Sequence, residues 1–305
     1  MQYSYNIIVD SPCEITADFA KANQLKVLHF TYTEGNGDEG LCGVDDLFVS
    51  RTAHEFYEAM RNGAAPQTSQ PSQHEFESAF REAIESGIPA VYLAFDSGIS
   101  GCYEGACMAL DRLKDEYGAE NVAVHIVDTK LPATPLNMLV WEAVRQREKG
   151  MPLEQMIAWA TEAHNYMHIH FMVDDLKALA RGGRIPSGVA VVGTKLDIKP
   201  MLTVSLDGKL ELNGIAHGRK KGIRRMAENY LPCMILRWQC ALSVTPIATK
   251  MLRSSKRLST SIQRHQRSSW SLRADLPSAV MWDQASYRVA SGVLIVARKH
   301  RQRSI

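Results

Sequence analysis

Hydroxyl side chains precede two helical patterns in this chain of 305 residues, and neither stretch contains a basic residue. The first stretch, Gln67–Ser72, includes Thr68 and Ser69, and the second, 97–101, includes Ser100. A helix N-terminus has unpaired N–H groups and partial positive charge, which suit an anion. Without lysine or arginine, the two stretches fit one small, singly charged anion such as a carboxylate better than a polyphosphate.

The first stretch is also typical of an ordinary helix start. Ser72 and Glu75 match a capping box, and Pro71 keeps the residue before it extended, so a helix is expected over 74–86. In isolation, a capped helix explains this stretch better than a ligand site does. The pair of stretches favours binding, because the helices behind both are apolar on one face. A carboxylate with a long apolar tail would then fit between two domains.

Three strand patterns end in an aspartate followed by a hydroxyl residue: Asp10-Ser11, Asp96-Ser97 and Asp128-Thr129. Strands that alternate with helices predict a parallel, doubly wound sheet, whose ligands lie beyond the carboxyl ends of the strands. Asp10, Asp96 and Asp128 are therefore candidate catalytic carboxylates of a hydrolase or transferase. Helix capping and turn formation explain them equally well.

The elements that would position these residues fall into two groups. Alternating strand and helix patterns extend to about residue 165, and a mixed region with a hairpin around Asp207-Gly208 follows. The sequence therefore predicts an N-terminal α/β domain over 1–165 and a second α/β domain over 166–305.

Local patterns predict several individual elements. Lys26–Tyr32 alternates and predicts one strand, whereas Asp46–Gly63 and Gly188–Leu196 predict helices. Gly35–Gly40 matches GxGxxG, but a loop is expected to follow it where a dinucleotide site needs a helix. Acidic residues within and after the motif would also repel phosphate, which excludes a dinucleotide site; they are Asp38, Glu39, Asp45 and Asp46.

Several function classes find no support in the sequence. Walker A, HExxH and GxSxG motifs are missing, and the six cysteines form no CxxC pair. His168 and His170 share a strand face but have no third ligand at a metal-binding distance in sequence, so we expect neither a metal nor a cofactor. No apolar run is long enough to span a membrane, and we expect a soluble cytoplasmic protein without stable membrane insertion.

Charge divides the chain near residue 232. Residues 233–305 contain 13 Lys+Arg and two acidic residues, a net charge of +11, whereas residues 1–232 contain 22 Lys+Arg and 31 Asp+Glu, a net charge of −9. One interpretation is a basic tail that binds nucleic acid. The tail contains no recognisable module, so such binding would be non-specific and salt-sensitive.

Five motifs occur in order in the first 232 residues: I-V-D-S (8–11), T-S-Q-P-S (68–72), S-G-I-S-G-C-Y-E-G-A (97–106), L-x-x-L-A-R-G-G-R-I (176–185) and L-D-I-K-P-M-L (196–202). Together they resemble the DegV family of bacterial fatty-acid-binding proteins. The resemblance covers residues 3 to about 232. It implies a two-domain α/β fold that buries a long-chain fatty acid between its domains and acts as a carrier. Some members of the family present the acid to a fatty acid kinase, which phosphorylates the carboxylate.

The resemblance also assigns roles to individual residues. Thr68 and Ser100 resemble the hydroxyls that bind the carboxylate, with Ser69 and Gly101 beside them. Arg184 resembles the arginine of a G-R-I loop near the ligand mouth and the surface that docks the kinase. Two positions depart from the family pattern: Cys102 stands where many members have threonine, and His217 stands near a position that often supplies an arginine.

The residues after Pro232 lack the end that the resemblance implies, namely an N-A-D-like strand, an H-V-G-P-G turn and a terminus like L-S-C-x-F-W-G. Their codons, read from the third base of each, nevertheless permit family-like stretches in the right order. These are H-D-P-A-L-A-V from 233–240, N-A-D-C-Y-K-D-A from 244–252, C-H-V-G-P-G from 279–285 and L-S-C-C-F-W-G from 286–293. We therefore expect a frameshift near residue 232, with 233–305 out of frame and poorly ordered and the second domain incomplete.

Overall fold

The structure is a computed structural model that describes residues 3–35, 41–173, 176–185, 198–229, 289–290 and 293–297. Its strands, numbered in chain order, are β1 Asn6–Asp10, β2 Leu25–Leu28, β3 Thr31–Glu34, β4 Leu41–Val44, β5 Gln67–Ser69, β6 Ala90–Ala94, β7 Val124–Asp128, β8 Met167–Met172, β9 Ile198–Val204, β10 Leu210–His217, β11 Val289–Ala290 and β12 Val293–Ala297. Its helices are α1 Ala17–Ala22, α2 Ala53–Arg61, α3 Gln73–Ser86, α4 Cys102–Tyr117, α5 Ala133–Glu148, α6 Leu153–Glu162, α7 Lys177–Arg181 and α8, residues 219–229.

A parallel sheet with the strand order β2-β1-β6-β7 forms the centre of the first unit. All five residues of β6 are buried, and successive side chains point to opposite faces. Val91 and Leu93 join a core cluster with α5 and α6, whereas Tyr92 joins a second cluster with α3 and α4. Helices therefore cover both faces of the sheet, as the alternating strand and helix patterns predict.

The predicted strand Lys26–Tyr32 is wrong, because the chain changes sheets within it. β2 belongs to the parallel sheet, whereas β3 joins an antiparallel sheet with the strand order β4-β3-β5. Between the two strands, His29 N donates to Glu75 Oε1 (2.6 Å) and Phe30 N donates to Ser11 Oγ (3.1 Å). These side chains satisfy two backbone donors that have left one sheet and not yet joined the next.

The helix predicted over Asp46–Gly63 is shorter in the structure, because α2 begins only at Ala53. The carboxylate of Asp46 accepts hydrogen bonds from Val49 N (3.0 Å) and Ser50 N (2.9 Å) and so stabilises a turn instead of a helix. The predicted helix Gly188–Leu196 lies outside the described residues.

The second unit contains a sheet with the strand order β10-β9-β8-β12-β11, in which every described pair is antiparallel. The predicted hairpin is confirmed: Ser205 N donates to Lys209 O (2.9 Å), and Gly208 N donates to Ser205 O (2.9 Å). Of residues 233–305, the structure describes β11 and β12 alone, and β12 pairs with β8. The rest of that segment lies outside the described residues.

Apolar side chains connect the two units. Ile169 of β8 is buried in the core cluster that includes Val91 and Leu93, and Phe171 and Val204 pack against the same cluster. No helix in the described parts of the chain is both long and apolar enough to cross a membrane.

Candidate carboxylate-binding site

Thr68 lies at the centre of β5, which is an edge strand of the three-stranded antiparallel sheet. Its backbone is opposite Tyr32 of β3, and Ser69 is opposite Thr31. The side chains of Thr68 and Ser69 are exposed, and neither hydroxyl forms a hydrogen bond within the described residues. Both hydroxyls are therefore available to a ligand.

Ser100 lies in the turn between β6 and α4 and is half-buried. Its backbone N–H donates to Asp96 O (3.1 Å), and its Oγ accepts a hydrogen bond from Cys102 N (3.3 Å). Ser100 Oγ thus stabilises the turn before α4, whose N-cap residue is Gly101, and a hydroxyl that accepts one hydrogen bond can also donate one.

The side chain of Gln70 connects these two hydroxyl-bearing segments. A Cβ on Gly101 would lie 2.5 Å from Gln70 Oε1, and one on Gly105 would lie 2.7 Å from Gln70 Nε2. Gln73 Nε2 donates to Gly105 O (3.0 Å). The two glycines therefore leave the space in which Gln70 packs against the start of α4, only two residues after Thr68.

Sequence reasoning did not single out Gln70 or Gln73. The available signal was the pair of glycines at 101 and 105, which are four apart and so share one face of a helix start. Glycine on that face indicates a close approach by a neighbouring group.

Arg184 reaches the same turn from the second unit. Its Nε donates to Ile99 O (2.9 Å), and its Nη1 hydrogen-bonds Gly182 O. The side chain is exposed, so it provides a positive charge next to the Ser100 turn at the surface of the molecule. The structure therefore brings Arg184 to the Ser100 turn and connects that turn to the Thr68 strand through Gln70.

The predicted capping box at Ser72 and Glu75 forms only in part. Ser72 Oγ accepts a hydrogen bond from Glu75 N (3.1 Å), and the helix begins at Gln73. The Glu75 carboxylate does not return to Ser72, because it accepts the hydrogen bond from His29 N at the end of β2. This contact attaches the start of α3 to the parallel sheet.

The Asp10 carboxyl is fully buried and already has partners on both oxygens. Tyr92 Oη donates to Oδ1 (2.6 Å) and Phe95 N donates to Oδ2 (2.7 Å). Burial raises the pKa of Asp10 to about 7, and the two hydrogen bonds oppose that rise. A carboxyl without solvent access whose oxygens are both occupied is suited to holding β1 and β6 together, not to contact with a substrate.

Asp128 and Asp96 also stabilise turns. Asp128 Oδ2 accepts a hydrogen bond from Ser97 Oγ (2.6 Å), and Asp128 Oδ1 accepts one from Lys130 N (3.2 Å). Asp96 Oδ1 accepts one from Gly98 N (2.9 Å), whereas Asp96 Oδ2 is buried and without a hydrogen-bond partner among the described residues. The geometry therefore favours structural roles for these carboxyls over a hydrolase or transferase centre.

The two departures from the family pattern lie in different settings. Cys102 is buried at the start of α4, and burial raises the pKa of its thiol far above the usual range, so the thiol stays protonated. His217 is the exposed last residue of β10. The structure describes no group of three or more potential metal-ligating side chains among its described residues, His168 and His170 included.

An open groove of about 760 Å³ lies along the edge strand β2, and Ser72, the last residue of the first hydroxyl-bearing stretch, is part of its lining. Its walls include Ala20 of α1 and Ala79 of α3, with Lys26, His74 and Glu75 among its polar lining. Thr68, Ser100 and Arg184 are not part of it.

Comparison with known proteins assigns a family. The model of a family described as uncharacterised DegV proteins matches residues 4–265 and so extends past residue 232. A DegV domain-containing protein, YteA of Lactococcus lactis, is 34% identical over 228 residues, which are 75% of this chain and 77% of the relative.

Solved structures share the fold. A stearic acid-binding protein from Eubacterium ventriosum is 26% identical with a TM-score of 0.65, over 75% of this chain and 77% of that protein. A fatty-acid-binding DegV protein from Thermus thermophilus is 27% identical with a TM-score of 0.61, over 75% of this chain and 77% of that protein.

Proposed function

Because the chain belongs to the DegV family, we propose that it binds a long-chain fatty acid between its two α/β units, with the carboxylate held by Thr68 and Ser100. The observation that carries this proposal is the packing of Gln70 against Gly101 and Gly105, which connects the two hydroxyl-bearing segments. The ligands named for the solved relatives from Eubacterium ventriosum and Thermus thermophilus support the choice of a fatty acid.

Neutral donors would hold the carboxylate. The hydroxyls of Thr68 and Ser100 each donate one hydrogen bond, supported by Ser69 and by backbone N–H groups around Gly101 at the start of α4. A hydrogen bond to a charged group contributes about 1.5–3 kcal/mol. Arg184 adds a solvent-screened positive charge at the mouth of the site.

The acyl chain would lie along the apolar seam between the units. Phe95, Phe171 and Val204 are partly buried and pack against the core cluster shared by both units. Partly buried apolar side chains on facing elements gain further burial when a hydrocarbon chain covers them.

The proposed role is that of a carrier, not a catalyst. We infer from the family resemblance that a cytoplasmic fatty acid kinase is a partner, that Arg184 lies on its docking surface, and that no metal or cofactor is required. The buried settings of Asp10 and Asp96 support this role, because a hydrolase or transferase needs carboxyls that reach the substrate.

The segment 233–305 is proposed to be a product of a reading-frame change near residue 232. Its net charge of +11, its single glycine and the family-like shifted reading support this proposal. The family model matches up to residue 265, so the resemblance extends beyond residue 232, where it was expected to end. Resequencing the gene decides the point: an intact frame without family-like motifs in the shifted reading contradicts the proposal.

Native mass spectrometry of the purified full chain tests the function. We expect a long-chain acid to copurify with the wild-type protein and to be lost from Thr68→Val. The exposed hydroxyl of Ser50, which is not part of the proposed site, provides the control variant Ser50→Ala, which should retain the acid. A chain that holds no acid but turns over an ester or phosphate substrate would indicate the enzyme alternative.

A further inference from the structure

The turn that carries Ser100 is also a contact point between the two units. A Cβ on Gly98 would lie 2.4 Å from the carbonyl carbon of Gly208, and a Cβ on Gly208 would lie 1.9 Å from Asp96 Oδ1. Neither position has room for a side chain. The backbone at Asp207 and Gly208, the tip of the β9–β10 hairpin, therefore lies directly on the turn formed by residues 96–98.

A carboxyl without a full set of partners is buried at this contact. Asp96 has 0% of its surface exposed, and its Oδ2 has no hydrogen-bond partner in the parts of the chain that the structure describes. Burial raises the pKa of Asp96 to about 7, the hydrogen bond from Gly98 lowers it, the charge of Asp128 raises it and Lys130 lowers it. Ionisation would leave an incompletely paired charge in a buried contact.

We propose that the tip of the β9–β10 hairpin is a protonation-sensitive latch, which docks on residues 96–98 while the Asp96 carboxyl is protonated and loosens when it ionises. Ser100 N donates to Asp96 O (3.1 Å), so movement of Asp96 displaces Ser100. Asp96 is thereby a positioning residue for the carboxylate site. The ligand readout of this inference rests on the proposed function, whereas the docking itself does not.

Five other charged side chains lie near Asp96, and their positions show which of them can affect it. Asp128 and Lys130 face Asp96 from the end of β7. The hairpin side chains Asp207 and Lys209 are exposed, so solvent screens them. Arg184 also contacts this turn, through Ile99 O, and is exposed. Asp96 is thus the buried acid at the point of contact.

The direction of the pH effect follows from the raised pKa. A protonated Asp96 stabilises the docked state fully below the ordinary carboxyl pKa of about 4, and this contribution is lost as the pH rises through about 7. Docking therefore weakens by up to about tenfold per pH unit between these limits and changes little above about pH 7.

The test compares the wild-type chain with Asp96→Asn, because asparagine has the shape of the protonated carboxyl and does not ionise. Binding of cis-parinaric acid, a fluorescent long-chain acid, is measured from about pH 5 to about pH 8. We expect the ratio of the wild-type Kd to the Asp96→Asn Kd to rise with pH up to about 7 and then to level off. Ionisation of the probe cancels in this ratio.

Asp111→Asn is the matched control, because it removes an exposed carboxylate of α4. Its Kd ratio to wild type should stay constant with pH. A constant ratio for Asp96→Asn between two folded proteins would overturn the latch.

Hydrogen exchange of the ligand-free wild-type chain keeps the test decisive if Asp96→Asn does not fold. We expect the protection factor of the Gly208 amide, which lies at the docked hairpin tip and donates to Ser205 O, to fall as the pH rises from about 5 to about 7. A protection factor that does not change with pH contradicts the latch. A falling protection factor in a chain that binds no probe supports the latch and rejects the proposed function.

Discussion

The two halves of the proposed carboxylate site are held in place in different ways. Thr68 lies on an edge strand with an exposed side chain, and strand pairing to β3 positions its backbone. Ser100 lies in a turn that contacts Gln70, Arg184 and Gly208. The Ser100 half is therefore preorganised by the fold, whereas the Thr68 half is close to a free surface group. Substitutions in the Ser100 half should change both stability and binding, whereas substitutions in the Thr68 half should change binding alone.

The largest effect is expected from Gly105→Val, which breaks the connection between the halves. The new Cβ would lie 2.7 Å from Gln70 Nε2 and 3.2 Å from Phe76 Cε2. Overpacking should reduce the free energy of unfolding by about 1–3 kcal/mol, measured by chemical denaturation, and should abolish binding. Met108→Val introduces valine at an exposed position of α4 and should change stability by less than half as much.

Ser100→Ala should weaken both properties. Loss of the turn hydrogen bond from Cys102 N to Ser100 Oγ reduces the free energy of unfolding by about 0.5–1.5 kcal/mol. Loss of a hydrogen bond to the ligand raises the Kd of a long-chain acid about tenfold or more. Thermal unfolding and fluorescence titration measure the two effects. Unchanged stability would remove the asymmetry between the halves.

Thr68→Val should weaken binding alone. Valine keeps the shape and the strand propensity of threonine on an exposed strand, so stability should change by no more than about 0.5 kcal/mol. The Kd should rise about tenfold or more, as for Ser100→Ala. A large fall in the melting temperature would mean that the Thr68 half is structural as well.

The smallest effect is expected from Arg184→Gln. The side chain is exposed, and its charge contributes a screened attraction of about 0–1 kcal/mol. The Kd should rise by a few-fold at low salt and match that of wild type at high salt. Lys114→Gln, on an exposed side chain of α4, provides the control and should show no such salt dependence. A loss of affinity that persists in high salt would place Arg184 in direct contact with the carboxylate.

Structural features that depend on a few neighbouring residues could be predicted from the sequence. The buried strand β6, the hairpin at Asp207-Gly208 and the hydroxyls before α3 and α4 all follow from patterns within a few neighbouring residues. The family that these motifs indicate is confirmed by the match over residues 4–265.

Contacts between residues that are far apart in the sequence could not be predicted in this way. The chain leaves the parallel sheet after Leu28 because Glu75, 46 positions away from His29, supplies a hydrogen-bond partner. The contact of Gln70 with the start of α4 likewise depends on how α3 packs beside α4. Such partners are distant in sequence, so local propensity carries no information about them.

The most direct measurement compares a long-chain acid with the alcohol of the same chain length in wild type and in Thr68→Val/Ser100→Ala. Both ligands bury the same apolar chain, so the ratio of their Kd values reports recognition of the carboxylate. We expect the wild-type chain to prefer the acid by about tenfold or more and the double variant, still folded, to lose that preference. A double variant that keeps the full preference for the acid would contradict the assignment of Thr68 and Ser100.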